Sequence, residues 1–233
     1  MTLEEYKKAE EKRLKINIAH LENGVNFVDI NGAYIDETVE IGAGTLIGPC
    51  VTLEGNTVIG DGCVIGQNTR IKDSVIGSRV EIQSSVITES SVGEGTKVGP
   101  FAYMRPGSKV GKDCKVGDFV EIKNSTFGDG SKASHLTYIG DSDVGSGVNL
   151  GCGVVFVNYD GTNKYRSTVG DGAFIGCNSN LVSPVNVGEG AYIAAGSTVT
   201  EDVEADALYV ARAKGTKKQG WVSAKGILKK KKK

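Results

Sequence analysis

The sequence predicts an all-β fold, a parallel β-helix, and three observations lead to it. Aliphatic residues recur at strict six-residue steps, as in Ile35, Ile41, Ile47 and Leu53, and the series continues with one-residue slips to Val199. The residue after the aliphatic one is often glycine. Aromatic residues make up only 6% of the chain, so the core must consist of Val, Ile, Leu and Ala.

A six-residue period is neither the 3.6 of a helix nor the alternation of a strand. It suits a short strand followed by a turn, and three such units make one triangular coil whose aliphatic residues point inward. Glycine serves the corners, where positive φ or close packing is needed. Residues 35–199 hold roughly nine coils, and at ~4.8 Å per coil the prism is about 43 Å tall. A β-sandwich is the alternative, but its strands do not keep a six-residue register.

The two ends of the chain differ from the repeat. The N-terminal residues predict a helix that begins with a capping box of Thr2 and Glu5 and ends at Asn23-Gly24. His20 lies on this helix and is expected to be a surface or packing residue. The C-terminal part loses the repeat and is predicted to be an arm lying on the prism or on a partner chain. The predicted domains are a helix at 1–24, a β-helix at 25–207, and an arm with a basic tail at 208–233.

One interruption of the repeat predicts an extruded loop at 157–168. The step from Phe156 to Val169 is thirteen residues instead of six. A loop that interrupts a regular solenoid is a good place to look for function, although a tolerated surface insertion is the alternative. The polar and charged residues that it carries are Asn158, Tyr159, Asp160, Lys164 and Arg166.

Composition excludes several classes of protein. The net charge is −1, which argues against a nucleic-acid partner, with the basic tail Leu228–Lys233 as the local exception. No window approaches the ~18 apolar residues of a membrane span. The five cysteines are odd in number and form no C-x-x-C pair. We therefore expect a reduced, cytoplasmic protein that binds neither nucleic acid nor membrane.

The chain contains only two histidines, and His135 stands alone in a Gly-rich stretch, "SKASHLTY". Two histidines cannot form a three-histidine zinc site within one chain, so no metal is expected. No G-x-S-x-G elbow is present either. A single histidine can act as general base for a substrate that brings its own nucleophile, such as an amine attacking a thioester. Backbone N–H groups can stabilise the oxyanion of that reaction.

Three longer stretches carry a specific resemblance: "RPGSKVGKDCKVGDFVEIKNSTFGDGSKASHLTYIGD", "VNLGCGVVFVNYDGTNKYRSTVGDGAFIGCNSNLVSPVNVGEGAYIAAGSTVT" and "ALYVARAKGTKKQGW". They resemble the C-terminal half of the bifunctional bacterial enzyme that is both glucosamine-1-phosphate N-acetyltransferase and N-acetylglucosamine-1-phosphate uridyltransferase. The N-terminal helix is similar to the interdomain linker of that family. The glycine-rich nucleotide-binding loop of the uridyltransferase half does not occur in the chain, so we expect no uridyl transfer.

The resemblance implies a left-handed hexapeptide-repeat β-helix and a homotrimer. It also implies acetyl transfer from acetyl-CoA to glucosamine 1-phosphate, which yields N-acetylglucosamine 1-phosphate for UDP-N-acetylglucosamine and cell-wall precursor synthesis. The catalytic residues implied are His135 as general base, Glu121 to orient His135 or the amine, and Cys152 as a backbone donor to the oxyanion. The residues implied for the sugar phosphate are Arg105, Lys123, Tyr138, Asn149 and Lys164. Those implied for acetyl-CoA are Cys152, Asn158, Tyr159, Cys177, Ala195 and Arg212.

Two positions depart from the family pattern, because Cys152 stands where the family has Ala and Cys177 where it has Ser. Two other functions remain open. One is a hexapeptide acyltransferase for another amino-sugar phosphate, and the "NYDGTNKY" loop argues against it. The other is a non-catalytic trimeric β-helix module, which the intact set of His135, Asn149, Asn158 and Lys164 argues against.

Overall fold

Thirty short strands wind into a parallel β-solenoid of about ten turns in the computed structural model, which describes residues 1–227. The predicted basic tail, Leu228–Lys233, lies outside the described residues. Up to Tyr192–Ile193 every third strand belongs to the same sheet, so the chain moves from one wall of the prism to the next at each corner. The predicted parallel β-helix is therefore confirmed, while its left-handed coiling stays a prediction from the resemblance.

Three parallel sheets form the walls, and each consists of strands of two to four residues. The first sheet contains Asn26–Phe27, Leu46–Ile47, Val64–Ile65, Glu81–Ile82, Lys97–Val98, Lys115–Asp118, Lys132–His135, Asn149–Leu150, Phe174–Ile175, Tyr192–Ile193 and Leu208–Tyr209. The second contains Tyr34–Ile35, Thr52–Glu54, Arg70–Lys72, Val86–Thr88, Tyr103–Met104, Glu121–Lys123, Tyr138–Gly140, Val155–Val157, Asn180–Val182 and Thr198–Val199. The third contains Glu40–Ile41, Val58–Ile59, Val75–Ile76, Ser91–Val92, Lys109–Val110, Thr126–Phe127, Ser142–Val144, Ser167–Val169 and Asn186–Val187.

The inward positions of the repeat form one continuous core inside the prism, which contains Phe127, Phe156 and Met104 besides the expected Val, Ile, Leu and Ala. Between Ile35 and Val199 the predicted inward residues are buried, except Ile41, which is partly exposed. Identical positions stack across turns, as in the register pairs Ile47–Ile65 and Ile65–Ile82. Fully burying one such side chain contributes about 1.5–3 kcal/mol to the free energy of unfolding. The stacked inward residues together are therefore the main source of stability.

The solenoid extends beyond the range 35–199 at both ends. Asn26–Phe27 pairs with Leu46–Ile47, and Leu208–Tyr209 pairs with Tyr192–Ile193. Leu208 therefore belongs to the last strand of the solenoid, although the loss of the six-residue pattern places it at the start of the predicted arm. Beyond that strand, the arm contains a single helical turn, Trp221–Ala224.

The N-terminal helix, Leu3–Glu22, packs against the first turn of the solenoid. The predicted capping box of Thr2 and Glu5 is present. Asn17 is fully buried and donates hydrogen bonds to the carbonyls of Ile30 and Ala33, at 2.8 and 3.0 Å. These bonds fix the helix to irregular backbone that the sheets leave unpaired. His20 is partly buried, and this burial lowers its pKa, as suits a packing residue.

The predicted extruded loop leaves the solenoid after Val155–Val157 and returns at Ser167–Val169. It is a small hairpin closed by an antiparallel bridge between Tyr159 and Lys164. The Asp160 carboxylate accepts hydrogen bonds from the backbone N–H groups of Thr162 and Asn163, which tightens the tip. The loop therefore has hydrogen bonds of its own that define its backbone.

The base of this loop is tied to the prism by Arg166. Its guanidinium group pairs with the carboxylate of Asp143 and donates to the carbonyl of Asn124 at 2.9 Å.

None of the described helices is both long and apolar enough to cross a membrane.

Candidate active site

Five consecutive turns place one residue each at the same corner, between the first and second sheets. Each of these residues follows an inward residue of the first sheet by two positions, and those inward residues stack in register from Val116 to Ile193. We call this set the corner column, and it consists of Asp118, His135, Cys152, Cys177 and Ala195. Four of its five members are residues that the resemblance implied for catalysis or acetyl-CoA binding.

His135 is paired with the residue directly below it in the corner column. Its Nδ1 atom lies 2.6 Å from Oδ1 of Asp118, and the two residues are register partners. A carboxylate at this position accepts the Nδ1 proton, which leaves the lone pair of Nε2 free to accept a proton from a substrate. The bond to His135 lowers the pKa of Asp118, so the carboxylate stays ionised at neutral pH. Both side chains are partly exposed and open to a ligand.

Sequence reasoning missed Asp118 and expected Glu121 to orient His135 or the amine. Within residues 1–227, the carboxylate of Glu121 forms its ion pair with Arg105, at 2.9 Å, and not with His135. The signal for Asp118 was available in the sequence. It precedes His135 by seventeen residues, which is one coil shortened by a slip, so counting one turn back leads to it.

The strands of the second sheet and the residues that follow them carry a cluster of charged and polar side chains. Lys123 lies 3.1 Å from the carboxylate of Asp141, which is only 7% exposed. Asp141 also accepts hydrogen bonds from the side-chain amides of Asn124, at 2.7 Å, and Asn158. It therefore joins Lys123 of the sheet to Asn158 of the extruded loop. Asp141 was also missed, because its partners are 17 or 18 residues distant in sequence.

The pKa values of this cluster follow from burial and contact together. Burial on its own raises the pKa of Asp141, but hydrogen bonds from Asn124 and Lys123 outweigh it, and the pKa lies below its ordinary value. Burial on its own lowers the pKa of Lys123, but the contact with Asp141 outweighs it and the pKa lies above its ordinary value. Both groups are therefore charged at neutral pH. The side chain of Lys164, from the hairpin, lies beside that of Lys123.

Tyr138 lies on the same sheet, directly above Glu121 in the register. Its hydroxyl oxygen accepts a hydrogen bond from Nδ2 of Asn158 at 3.5 Å. A Cβ atom on Gly140 would collide with the tip of the Tyr138 ring and with the Asn158 amide, so only glycine permits this arrangement. Asn149 lies on the neighbouring first sheet, between Lys132 and Phe174 in the register, and is partly exposed.

The upper end of the corner column meets the C-terminal arm. Arg212 donates a hydrogen bond from Nη1 to the carbonyl of Ala195, so these two predicted residues are adjacent. Cys177 is exposed and Cys152 is partly exposed. Tyr159 is exposed on the hairpin, where its hydroxyl donates to the carbonyl of Gly161 at 2.6 Å.

This geometry provides one histidine whose Nδ1 atom faces a carboxylate and, on the second sheet, two cations that are each paired with a carboxylate. Such an arrangement can remove a proton from a nucleophile and bind an anionic group on the same substrate. Among residues 1–227, no three His, Cys, Asp or Glu side chains are grouped so that they could hold a metal ion.

Comparison with known protein families gives two partial matches. A model described as the GMPPB C-terminal domain matches residues 30–102. One described as the bacterial transferase hexapeptide (six repeats) matches residues 89–124 and 166–201. Both matches lie within the solenoid, and the second describes its repeat.

Curated relatives match nearly the whole chain, whereas the two family models match only parts of it. The bifunctional protein GlmU of Clostridium botulinum (strain Langeland / NCTC 10281 / Type F) is 56% identical over 218 residues, which cover 94% of this chain and 48% of that protein. The bifunctional protein GlmU of Clostridium novyi (strain NT) is 58% identical over 217 residues, which cover 93% of this chain and 48% of that protein. The chain thus spans about half the length of the curated relatives it matches.

A solved structure gives independent support for the fold. LpxA, a UDP-N-acetylglucosamine acyltransferase from Bacteroides fragilis 9343, superposes with a TM-score of 0.53. The alignment covers 74% of this chain and 67% of that chain at 19% identity, so the likeness is one of fold alone.

Proposed function

Since the chain is a homologue of the bifunctional GlmU proteins over 94% of its length and carries hexapeptide repeats, we propose that it is an acetyl-CoA-dependent glucosamine-1-phosphate N-acetyltransferase. The observation that carries the proposal is this identity of 56–58% over more than nine-tenths of the chain. The reaction transfers the acetyl group of acetyl-CoA to the 2-amino group of the sugar. Its products are N-acetylglucosamine 1-phosphate, for UDP-N-acetylglucosamine synthesis, and free CoA.

In the proposed reaction His135 is the general base. The lone pair of the sugar nitrogen attacks the carbonyl carbon of the thioester, and Nε2 of His135 takes a proton from that nitrogen. Asp118 keeps the proton of the ring on Nδ1 and stabilises the imidazolium that forms. The tetrahedral intermediate then collapses, its C–S bond breaks, and the CoA thiolate leaves with a proton returned from His135.

The backbone N–H of Cys152 is the proposed donor to the oxyanion of the intermediate. It lies one turn above His135 in the corner column, and within residues 1–227 it donates to no protein group. A backbone donor does not depend on the side chain, so cysteine in place of alanine leaves this role intact. Along the same corner Cys177 and Ala195 continue away from His135, and with Asn158, Tyr159 and Arg212 they are the proposed contacts of acetyl-CoA.

The phosphate of the sugar is proposed to bind Arg105, Lys123 and Lys164, with Tyr138 and Asn149 contacting the sugar. Arg105 and Lys123 are each paired with a carboxylate, Glu121 or Asp141, which holds the cation in place before the ligand arrives. Lys164 comes from the hairpin and adds a third positive charge beside Lys123. A phosphomonoester dianion is matched by such a group because charge-assisted hydrogen bonds are the strong ones.

The test is a direct assay of the purified chain with acetyl-CoA and glucosamine 1-phosphate, followed by mass spectrometry of the sugar. We expect N-acetylglucosamine 1-phosphate and an equal amount of free CoA. The proposal is wrong if the sugar phosphate stays unmodified while another amino-sugar phosphate, such as galactosamine 1-phosphate, is acetylated. It is also wrong if none of the sugars tested leads to consumption of acetyl-CoA.

A further inference from the structure

Cys152 and Cys177 are direct neighbours in the corner column. Leu150 and Ile175, two positions before them, are register partners, and the N–H of Asn178 donates to the carbonyl of Cys152 at 2.8 Å. Stacked positions in parallel strands lie about 4.8 Å apart. Disulfide bonds need Cα atoms about 4.4–6.8 Å apart, a range that includes the spacing of the paired strands that precede the two cysteines.

The close approach of these two turns depends on Gly151. A Cβ atom at this residue would lie 2.6 Å from the backbone nitrogen of Cys177 and 3.0 Å from its Sγ atom. The thiol of Cys177 therefore leans across the boundary between turns, onto the residue that precedes Cys152. Both residues lie in turns that directly follow strands of the first sheet.

The other three cysteines have no such neighbour within residues 1–227. Cys63 and Cys114 are buried in the prism, and this burial raises the pKa of both thiols, which keeps them unreactive. Cys50 is exposed, but its N–H donates to the carbonyl of Gly32 on one adjacent turn, and the other adjacent turn brings Asn68 to the carbonyl of Pro49. Only Cys152 and Cys177 combine exposure with a second thiol on the next turn.

We propose that Cys152 and Cys177 form a modification site at which a peroxide-class oxidant creates a reversible intramolecular disulfide. The thiolate of Cys177, the more exposed residue, attacks one oxygen of hydrogen peroxide and becomes a sulfenic acid, and the first water leaves. The thiolate of Cys152 then attacks that sulfur and releases the second water. In total two thiols lose two protons and two electrons, and one peroxide becomes two waters.

The consequence for acetyl transfer rests on the proposed function. The disulfide would join the two rungs directly above His135, where the thioester of acetyl-CoA is proposed to lie. Drawing the sulfurs together removes the space for the cosubstrate and fixes the turn that carries the oxyanion donor. We expect oxidation to stop turnover and a dithiol reductant to restore it.

The test counts thiols after oxidation of the folded protein. The purified chain is treated with hydrogen peroxide, denatured without reductant and alkylated. The reduced protein should take up one label on each of its five cysteines, and the oxidised protein should take up three, because two are joined. Peptide mapping should find the bridge between Cys152 and Cys177, and a non-reducing gel should show a single-chain band.

Variants make the assignment specific. Cys177→Ser and Cys152→Ala should each abolish the bridge, whereas Cys50→Ser should still lose two labels upon oxidation. Five labels on the treated protein, a bridge between two chains, or oxidation of Cys177 that stops at the sulfenic or sulfinic acid would overturn the proposal.

Measurements of acetyltransferase activity separate this inference from the proposed function. Rates are measured before oxidation, after it, and after dithiothreitol. A bridge in a protein without acetyltransferase activity supports the modification site and refutes the proposed function. An active enzyme that keeps five free thiols, or whose rate is unchanged by a complete bridge, refutes the inference and leaves the proposed function standing.

Discussion

At the scale of single residues, the site depends on contacts that reach from one turn to the next. His135 obtains its orientation from Asp118, and Lys123 is held by Asp141. In both pairs the partner is one coil distant, seventeen or eighteen residues along the chain. A repeat therefore lets a side chain of the candidate site be held by a residue on the adjacent turn without any local motif around it.

The first prediction concerns His135→Ala. Loss of a positioned general base typically lowers the rate by about 10²- to 10⁴-fold, and we expect this loss in kcat at neutral pH. The fold should persist, because the prism is held by its stacked aliphatic residues. The comparison is His20→Ala, on the N-terminal helix, which should retain the wild-type rate. Near-normal turnover of His135→Ala, with unchanged circular dichroism, would disprove the proposed mechanism.

The second prediction concerns the phosphate. Remote binding energy that positions a reacting group appears in turnover as well as in affinity. Wild type should therefore prefer glucosamine 1-phosphate strongly over glucosamine, measured as kcat/KM. Lys164→Ala should narrow this preference by about tenfold to a hundredfold, which is the effect of one charge-assisted hydrogen bond.

The matched control for this measurement is Lys109→Ala, an exposed lysine on the third sheet. It should leave the ratio of the two kcat/KM values unchanged. The three cations do not form the phosphate site if wild type has the same kcat/KM for both sugars. The same conclusion follows if the ratio of the two kcat/KM values is unchanged in Lys164→Ala.

The third prediction is a pH dependence of stability that comes from Asp141. Its folded pKa lies below the ordinary value of 3.8. As the pH falls through that value, the unfolded chain takes up the proton first, so the free energy of unfolding decreases until the folded carboxyl also titrates. Urea denaturation at pH 7, 4 and 3 should show this decrease in wild type. The Asp141→Asn variant should have a lower free energy of unfolding than wild type at pH 7, but this free energy should decrease less than that of wild type between pH 4 and 3. Equal decreases in the two proteins would contradict the assignment to Asp141.

At the scale of elements, the N-terminal helix is joined to the solenoid by few polar contacts. The fourth prediction is that Asn17→Ala destabilises the protein by about 1–3 kcal/mol, because it leaves the buried carbonyl of Ala33 with one donor fewer and removes a bond to Ile30. Thermal and urea unfolding would measure the change. Lys15→Ala, an exposed position of the same helix, is the control and should be near neutral. An equal effect of the two variants would mean that Asn17 does not anchor the helix.

The sequence predicted the core of the solenoid more completely than it predicted the candidate site. The six-residue period identified the inward residues, because burial of aliphatic side chains dictates both period and core. It also located the extruded loop, since the step from Phe156 to Val169 breaks the period. Asp118 and Asp141 were missed because one-residue slips shift the register, and polar partners one coil distant leave no pattern in a local window. Leu208 was placed in the arm because its strand is formed by pairing with Tyr192, which the periodicity alone does not report.

At the scale of the whole molecule, one exposed apolar surface adjoins the proposed site. Phe101, Phe119 and Leu136 occupy the same corner of three consecutive turns, each is more than half exposed, and the two phenyl rings stack with centroids 5.5 Å apart. All three have left-handed backbone, with φ of 60°, 56° and 47°, which is costly for bulky side chains. Such a contiguous apolar surface is typical of a protein–protein interface.

The last prediction is that the chain is a homotrimer in which this surface is covered by a neighbouring copy. A closed three-fold ring repeats one heterologous contact, and a prism with flat walls can form it without bending. Because Leu136 follows His135 directly, covering this corner would enclose the proposed site between two copies. Sedimentation velocity should give a trimer for wild type and smaller species with strongly reduced activity for Phe119→Asp, since a charge in an apolar contact is left without a partner. Val28→Asp, at an exposed apolar position near the N-terminal helix, should remain trimeric and active. A fully active wild-type monomer would refute the prediction, and so would a Phe119→Asp protein that stays trimeric.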